Sequence, residues 1–481
     1  MAITSKESFL RVYSKAVNEG YAAIFAGAGL SMSSGYVDWK TLLKPFAKDL
    51  ELNIDEEHDL ARLAQYYRNE KGTRASINQE IVNQFSEHKN LNENINIVTR
   101  LPIYTYWTTN YDKLIEKGLE KNNRLADVKI NQDQLNFHKR DRDAIVYKMH
   151  GDVDFPKDAV LTKQDYEIYN LKRPLFTTVL QGDLVAKTFL FIGFSFEDPN
   201  LDNILSRTRN ILEEQIGENY WLEKQIEEPD YTNLKPDEKE LAKERYRIDC
   251  IKQNLKINEL QRYGINTVLI KSYYEITEIL TELENVYLKN NVFISGSIEE
   301  YNDIWTNDKV KDFGYKLSKK LVQLNYKVYS GFGLGIGSNI INGALDEIYT
   351  TKYRHIDEHL VLRPFPQEIN QGEILSEKWT RYREEIIKDV GIAIFIFGNK
   401  KDQDGNTQIA NGMIEEFEIA KRMNKIIIPI GSTGNAAKVV FDEVKQNIAQ
   451  YPYLKDQLEV LETNTNENEL VDAIQKIIKS I

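Results

Sequence analysis

Residues 21–31 read Tyr-Ala-Ala-Ile-Phe-Ala-Gly-Ala-Gly-Leu-Ser, and this stretch decides the fold class. The apolar run Tyr21–Phe25 is too short for a core helix and suits a strand covered on both faces. The turn that follows, Gly27-Ala28-Gly29-Leu30-Ser31, opens a helix. Glycines there let the backbone approach a pyrophosphate, and free amides at a helix start favour negative charge. A tight strand-to-helix turn needs glycine even without a ligand, so the turn alone does not settle function. Position 32 is Met, which breaks G-x-G-x-x-G, and no Gly-Lys follows to make a phosphate loop.

Outward from this turn, short apolar runs alternate with longer amphipathic stretches, the pattern of an α/β fold. Further strands are expected at Thr105–Thr108, Ala144–Met149, Thr188–Phe194 and Asn266–Ile270, and helices over Asp55–Phe85 and Lys163–Leu184. The segment Leu212–Tyr263 is highly charged and holds Pro229 and Pro236, so it reads as exposed helices and loop inserted before a last strand. A second α/β series starts near Asn291. Its expected strands are Val292–Ile294, Lys327–Tyr329, His359–Leu362, Ile392–Phe397 and Ile426–Ile430, with helices Asp308–Leu324, Ser338–Thr350, Lys378–Lys388 and Asn411–Met423 between them. The expected architecture is two Rossmann-like domains, each a mainly parallel sheet flanked by helices. Their expected bounds are 1–288, with the charged insertion near 212–263, and 289–481.

The chain has 481 residues, with 62 Lys+Arg against 74 Asp+Glu and a formal charge of −12. An acidic chain of this kind argues against general nucleic-acid binding, which needs a basic surface to displace counterions. A lone cysteine, Cys250, excludes an internal disulfide framework and any multi-Cys zinc site. The longest apolar run, Val390–Gly398, is far short of a membrane span, and the first residues do not read as a secretory signal. A cytoplasmic protein is therefore expected.

Three more motifs in the first half sit at strand ends. Thr108-Thr109-Asn110-Tyr111-Asp112 offers an amide that can orient a ribose or a water and a carboxylate that can accept from an amide; either residue also suits a helix cap. His150-Gly151-Asp152 puts a histidine at a strand's carboxyl end, where it suits a general base or a backbone-satisfied ring. Gly193-Phe194-Ser195 closes another strand, and Glu197-Asp198-Pro199-Asn200 reads as a helix-entry turn, with Asp198 and Asn200 as caps.

In this order and spacing, GAG-x-S, T-x-N-x-D, a strand-terminal His-Gly and a later G-x-S resemble the sirtuin (SIR2) family over roughly residues 8–285. The resemblance implies that Ala28, Gly29 and Ser31 contact NAD, that Asn110 and Asp112 surround its reacting end, and that His150 is the base. Gly193 and Ser195 would line the adenine-ribose side. Sirtuin deacylases carry two Cys-x-x-Cys pairs for a structural zinc, which a chain with only Cys250 lacks. The Phe-Arg usual after the GAG motif is replaced by Ser34-Gly35-Tyr36-Val37-Asp38-Trp39. NAD chemistry is kept while acyl-lysine recognition loses its support, leaving water as the natural acceptor of the ADP-ribosyl group.

In the second half, Ser295-Gly296-Ser297 ends a strand, and Ser330–Ser338 carries glycines at 331, 333, 335 and 337 before a helix. Such a loop lets amides surround phosphate oxygens, or meets a need for unusual backbone angles. With Arg383, Lys400 and Glu415, this order resembles the SLOG family of Rossmann-like nucleotide sensors over about residues 290–481. The enzymatic relatives' P-G-G-x-G-T-x-x-E is replaced by Asn411-Gly412-Met413-Ile414-Glu415, which favours binding over catalysis.

SIR2 followed by SLOG in one chain resembles the NADase effectors of Thoeris antiphage defence. That resemblance implies NAD+ hydrolysis to nicotinamide and ADP-ribose, switched on by a cyclic ADP-ribose isomer from a TIR-domain partner. It also implies a homotetramer or higher assembly. The expected activator contacts are Ser295, Gly296, Gly333, Leu334, Gly335, Arg383, Lys400 and Glu415. NAD+ is expected as substrate, with no tightly bound cofactor, no zinc, no nucleic acid and no membrane. The rival readings are a non-catalytic NAD- or ADP-ribose-binding switch and a zinc-free deacylase. His355-Ile356-Asp357-Glu358-His359 fits H-x-x-E-H, but it runs into an expected strand and Pro364, so metal ligation is not expected.

Overall fold

The computed structural model describes residues 3–212, 217–350, 352, 354–366, 368, 374–402 and 404–481. The chain divides into two units, Met1–Glu284 and Asn285–Ile481. Among the described residues no helix is long and apolar enough to cross a membrane.

The first unit is built on seven strands: β1 (Ala22–Ala26), β2 (Thr105–Thr108), β3 (Ala126–Lys129), β4 (Ala144–Lys148), β5 (Thr188–Ile192), β6 (Asn219–Lys224) and β7 (Ile265–Ile270). They form one parallel sheet in the order β3-β4-β2-β1-β5-β6-β7. Strands β1, β2 and β5 are buried along their whole length, because helices cover both faces of a parallel sheet. The register sets Ala26 level with Thr108 and Ile192, and Thr108 level with Lys148. Four strand ends thus lie in one row. The chain leaves β1 toward β2 on one side and returns through β5 on the other, which opens a crevice at the carboxyl ends of β1 and β5.

Local chemistry explains where the expected helices divide. Asp55–Phe85 splits into helices Leu60–Lys71 and Ala75–Phe85 because Gly72 caps the first in the left-handed region at φ 63°. Lys163–Leu184 becomes three pieces, the last, Pro174–Ala186, opening at a proline. The charged segment differs more. It contributes β6 to the sheet, with Tyr220, Trp221 and Leu222 buried, and then one long helix, Pro236–Gln261. Pro236 starts that helix rather than breaking it, since the first turn needs no amide from that residue. Part of the expected insertion, residues 213–216, lies outside the described residues.

The second unit holds β8 (Asn291–Ser297), β9 (Lys327–Ser330), β10 (Leu360–Leu362), β11 (Ile392–Phe397), a hairpin of β12 (Asn399–Lys401) and β13 (Thr407–Ile409), and β14 (Ile426–Pro429). Its main sheet is parallel in the order β10-β9-β8-β11-β14, with the switch point between β8 and β11. Phe293, Ile394, Phe395 and Ile428 lie in a core closed by helices Asn307–Gln323, Gly337–Ile348 and Glu467–Ser480. The H-x-x-E-H segment is a single helical turn, Ile356–His359, with His355 as its extended cap residue. Among the described residues no cluster of three or more His, Cys, Asp or Glu could hold a metal.

Candidate active site

Gly27 and Gly29 owe their conservative size to the protein itself. A Cβ on Gly27 would fall 2.3 Å from the Gly193 carbonyl oxygen, and one on Gly193 would fall 2.2 Å from Leu30 N. The Gly29 amide donates to the Gly193 carbonyl at 2.9 Å, and Gly193 adopts φ 62°. The turn after β1 and the turn after β5 therefore lock together through backbone contact. Ala28 and Gly29 begin the short helix Ala28–Met32, which sits on this joint. Ser195, two residues beyond Gly193, is exposed.

Ser31, Asn110 and Asp112 meet at the end of β1 and β2. Ser31 Oγ donates to Asp112 Oδ2 at 2.8 Å; Asn110 Nδ2 donates to Ser31 Oγ and to the Gly27 carbonyl, each at 3.0 Å. Asp112 Oδ1 also accepts from Leu114 N at 2.9 Å, a turn contact two residues on, while the cap position of helix Leu114–Lys121 is Lys113 rather than Asn110 or Asp112. Asn110 is only partly buried, and its carbonyl oxygen is the end of the amide not committed to these bonds.

Beneath them lies Lys148, fully buried at the end of β4. Its ammonium donates to the Tyr111 carbonyl at 3.1 Å and to the Asp112 carbonyl, and it pairs with Asp152 at 2.5 Å and Glu116 at 3.3 Å. Burial pulls its pKa down, but the surrounding Glu116, Asp152 and Asp112 carboxylates outweigh this and raise it. Burial pushes the Glu116 carboxyl up, opposed by Lys148. This buried cation holds the backbone of residues 111–112 against β4.

His150 follows directly and is 5 % exposed. Its ring meets Tyr166 edge-on at 5.6 Å and Tyr169 at 6.4 Å. Nε2 lies 3.0 Å from Asp198 Oδ2, an ion-pair distance, although the N–H axis is not aimed at that oxygen, so no in-line hydrogen bond forms. Asp198 does cap helix Pro199–Leu212, as its sequence suggests, through Leu201 N to Oδ1 at 2.9 Å. Its other oxygen faces His150 and the Tyr166 hydroxyl at 3.4 Å. Burial would push this carboxyl up, but His150 and amides of its own helix hold it below the usual range.

Trp39 Nε1, Tyr169 Oη and Asn200 Nδ2 are buried without a hydrogen-bond partner. Trp39 reaches the same ring cluster through Tyr166, at 6.1 Å. The Asp198–His150 pair was not visible in sequence because its partners follow different strands, and Lys148 was not because its burial and its Glu116 partner on a helix are set by the fold.

In the second unit, Ser295 Oγ donates to Glu416 Oε2 at 2.5 Å. Arg383 Nη1 pairs with Glu415 Oε2 at 2.8 Å, and its guanidinium lies 5.0 Å over Phe365. Arg383 is buried rather than solvated, with Nε unbonded at 3.6 Å from Glu416. A Cβ on Gly412 would meet Arg383 Nη2 at 2.5 Å, so Gly412 lies directly against the guanidinium. The loop glycines are steric: a Cβ on Gly333 would fall 1.8 Å from the Gly296 carbonyl, and Gly335, at φ 74°, packs on the Ile298 carbonyl. Leu334, between them, is exposed, and its carbonyl accepts from Ile298 N at 2.8 Å. Ser295, Gly296, Arg383, Glu415 and the glycine loop thus gather at the carboxyl edge of β8, β9 and β11. Lys400 stands exposed on β12, and among the described residues no hydrogen bond or ion pair joins it to Arg383 or Glu415.

Residues 275–481 match the model of the Sir2- and TIR-associating SLOG family, and residues 104–251 match that of the SIR2-like domain. The protein named NAD(+) hydrolase ThsA from Bacillus cereus is 48 % identical over 92 % of this chain and 90 % of its own length. The chain belongs to the ThsA family. The relative of the same name from Cytobacillus dafuensis is 44 % identical over 99 % of this chain and 97 % of its own. Defense-associated sirtuin 2 of Bacillus subtilis is 26 % identical over 42 % of this chain and 21 % of its own length. The two-domain reading of residues 104–251 and 275–481 as SIR2 then SLOG follows from the family matches and the two parallel sheets.

Proposed function

We propose that this chain hydrolyses NAD+ to nicotinamide and ADP-ribose in bacterial antiphage defence, within residues 1–288, and that a cyclic ADP-ribose isomer bound to residues 289–481 switches it on. The observation that carries the catalytic half is the row of strand ends that sets Ser31, Asn110, Asp112 and His150 around one crevice. NAD+ lies there with its pyrophosphate toward Ala28, Gly29 and Ser31 and its adenine-ribose side toward Gly193 and Ser195. The C1′–N bond breaks, nicotinamide leaves with the bonding pair, and positive charge spreads over the ribose oxygen. Asn110, its amide held by Gly27 and Ser31, orients the ribose hydroxyl or the attacking water. Water adds to C1′ and His150 takes up its proton, so the sum is NAD+ plus water to nicotinamide, ADP-ribose and a proton.

The second unit supplies the switch. Ser295, Gly296, Gly333, Leu334, Gly335, Arg383, Lys400 and Glu415 form the activator site, with Arg383 and Lys400 meeting phosphate. The activator comes from a TIR-domain partner, and the active form is a homotetramer or a larger assembly in the cytoplasm.

The test measures nicotinamide from purified protein and NAD+, with and without cyclic ADP-ribose isomers. Release by the wild type, abolished in Asn110→Ala and in His150→Ala, supports the reading. Full release by both variants overturns it, and binding of NAD+ without release under every isomer favours the non-catalytic switch.

A further inference from the structure

His150 has a ring nitrogen trapped against a carboxylate that belongs to another strand end. Nε2 is buried and lies 3.0 Å from Asp198 Oδ2, an ion-pair contact off the N–H axis, and among the described residues it makes no hydrogen bond. Asp198 is itself buried, and its position is fixed twice, by Leu201 N at Oδ1 and by Tyr166 Oη near Oδ2. A carboxylate that cannot donate needs a proton on the nitrogen it faces. We propose that Asp198 is the positioning residue of the hydrolysis: it keeps the His150 proton on Nε2 and leaves the Nδ1 lone pair as the base. This rests on the catalytic reading of His150 given above. The carboxylate is held ionised by the same contacts, which lower its pKa despite burial. When His150 accepts a proton at Nδ1, the imidazolium that forms is paired with Asp198 at Nε2, and no proton need pass to the carboxylate.

Asp198 also lines a cleft of ≈120 Å³ with Phe196, Leu205, Lys256, Glu259 and Tyr263, the last three from or beside the helix Pro236–Gln261. A small carboxylate entering from this cleft meets Lys256 together with the Asp202 and Glu259 carboxylates.

The helix cap makes Asp198→Asn a sharp probe. Asn caps as well as Asp, so the fold is kept. The cap consumes the Asn carbonyl oxygen, which turns the amide NH2 toward Nε2. A donor there makes Nε2 the acceptor and drives the proton to Nδ1.

Ring 15N shifts of His150 in the histidine-labelled full chain read this without any catalysis. The expected result is the Nε2–H form in the wild type and a shift to Nδ1–H in Asp198→Asn. With NAD+ and the isomer that activates the wild type, Asp198→Asn is expected to lose about 100-fold or more in kcat with KM changed less than about threefold. Formate is expected to restore Asp198→Ala by about tenfold or more, which loss of a helix cap alone would not allow. An unchanged tautomer in Asp198→Asn, or a kcat within about twofold of wild type, overturns the proposal. If the wild type releases no nicotinamide at all, the function reading fails, and the 15N shifts still decide the pairing.

Discussion

Ser31 Oγ donates to Asp112 Oδ2 at 2.8 Å and accepts from Asn110 Nδ2 at 3.0 Å, so one hydroxyl ties the turn after β1 to both polar residues after β2. Ser31 is 4 % exposed and Asp112 equally so. Replacing Ser31 by Ala leaves a buried carboxylate oxygen and an amide N–H without this partner. The expected cost is about 1–3 kcal/mol in a denaturant titration. Nicotinamide release should fall as well, because Asn110 loses one of the two bonds that hold its amide. Wild-type stability and rate in Ser31→Ala would show that the hydroxyl does not organise the junction.

The joint between Gly27, Gly29 and Gly193 predicts a sharp asymmetry among glycines. Gly193→Ala sets a methyl 2.2 Å from Leu30 N and 2.7 Å from Gly29 C at a left-handed φ, with backbone rather than a side-chain tip in the way. It is expected to lose about 3 kcal/mol or more, seen as poor soluble yield or a large fall in Tm. Gly182→Ala, in the helix Pro174–Ala186 with nothing within 4 Å of its Cβ, is the control and should gain up to about 1 kcal/mol. Equal melting of the two variants would contradict the tight joint.

Arg383 predicts separation of sensing from hydrolysis. Arg383→Ala removes the charge that pairs with Glu415 and that the proposed activator site would offer to a phosphate. Arg383 is buried beside Glu415 and Glu416, so a melting curve of the variant accompanies the assay and Arg383→Lys, which keeps the charge, serves as the folded control. The activator concentration giving half-maximal nicotinamide release should rise by about tenfold or more. Activation at the wild-type concentration would remove Arg383 from the site.

Glu416 gives the second unit a pH dependence of stability. Burial raises its carboxyl to about 7, with Ser295 and Arg383 opposing and Glu415 reinforcing the shift. A carboxyl raised in the folded state stays protonated there after the unfolded chain has ionised. Its contribution is therefore fully present below the unfolded value of 4.5 and is lost as pH rises through about 7. The loss is on the order of 3 kcal/mol at most. Melting at pH 5 and pH 8 should show this fall in the wild type and a smaller one in Glu416→Gln. Identical pH slopes would assign the effect elsewhere.

Fully apolar strands were legible because they are short and bounded by glycine or polar residues, as in β1, β5 and β11. The strand β3 was not. Its buried positions are Asp127 and Lys129, paired at 2.9 Å, so polar residues occupy the inward face. Strand β6 was hidden by the charge around it, though Tyr220, Trp221 and Leu222 are buried. The hairpin β12–β13 has largely exposed residues, and hydropathy says little about such a segment. At the candidate site, the motif residues Ser31, Asn110, Asp112 and His150 could be named from strand ends and order. Asp198 was read only as a cap because that role is local, while its second oxygen acts across the sheet edge.

Alternating apolar runs and polar strand ends were enough to specify two α/β units, and the single cysteine alone removed the zinc module of protein deacylases. These properties depend on local pattern and on counting, which need no coordinates. Which strand lies beside which is another matter, because pairing energy depends on partners far apart in the chain. Only the folded sheet brings β1, β2, β4 and β5 to one level and sets Asp198 against His150. It also gives the glycines a second task, contacts that let two backbones touch, since a Cβ at Gly27, Gly193 or Gly333 would overlap the opposing segment.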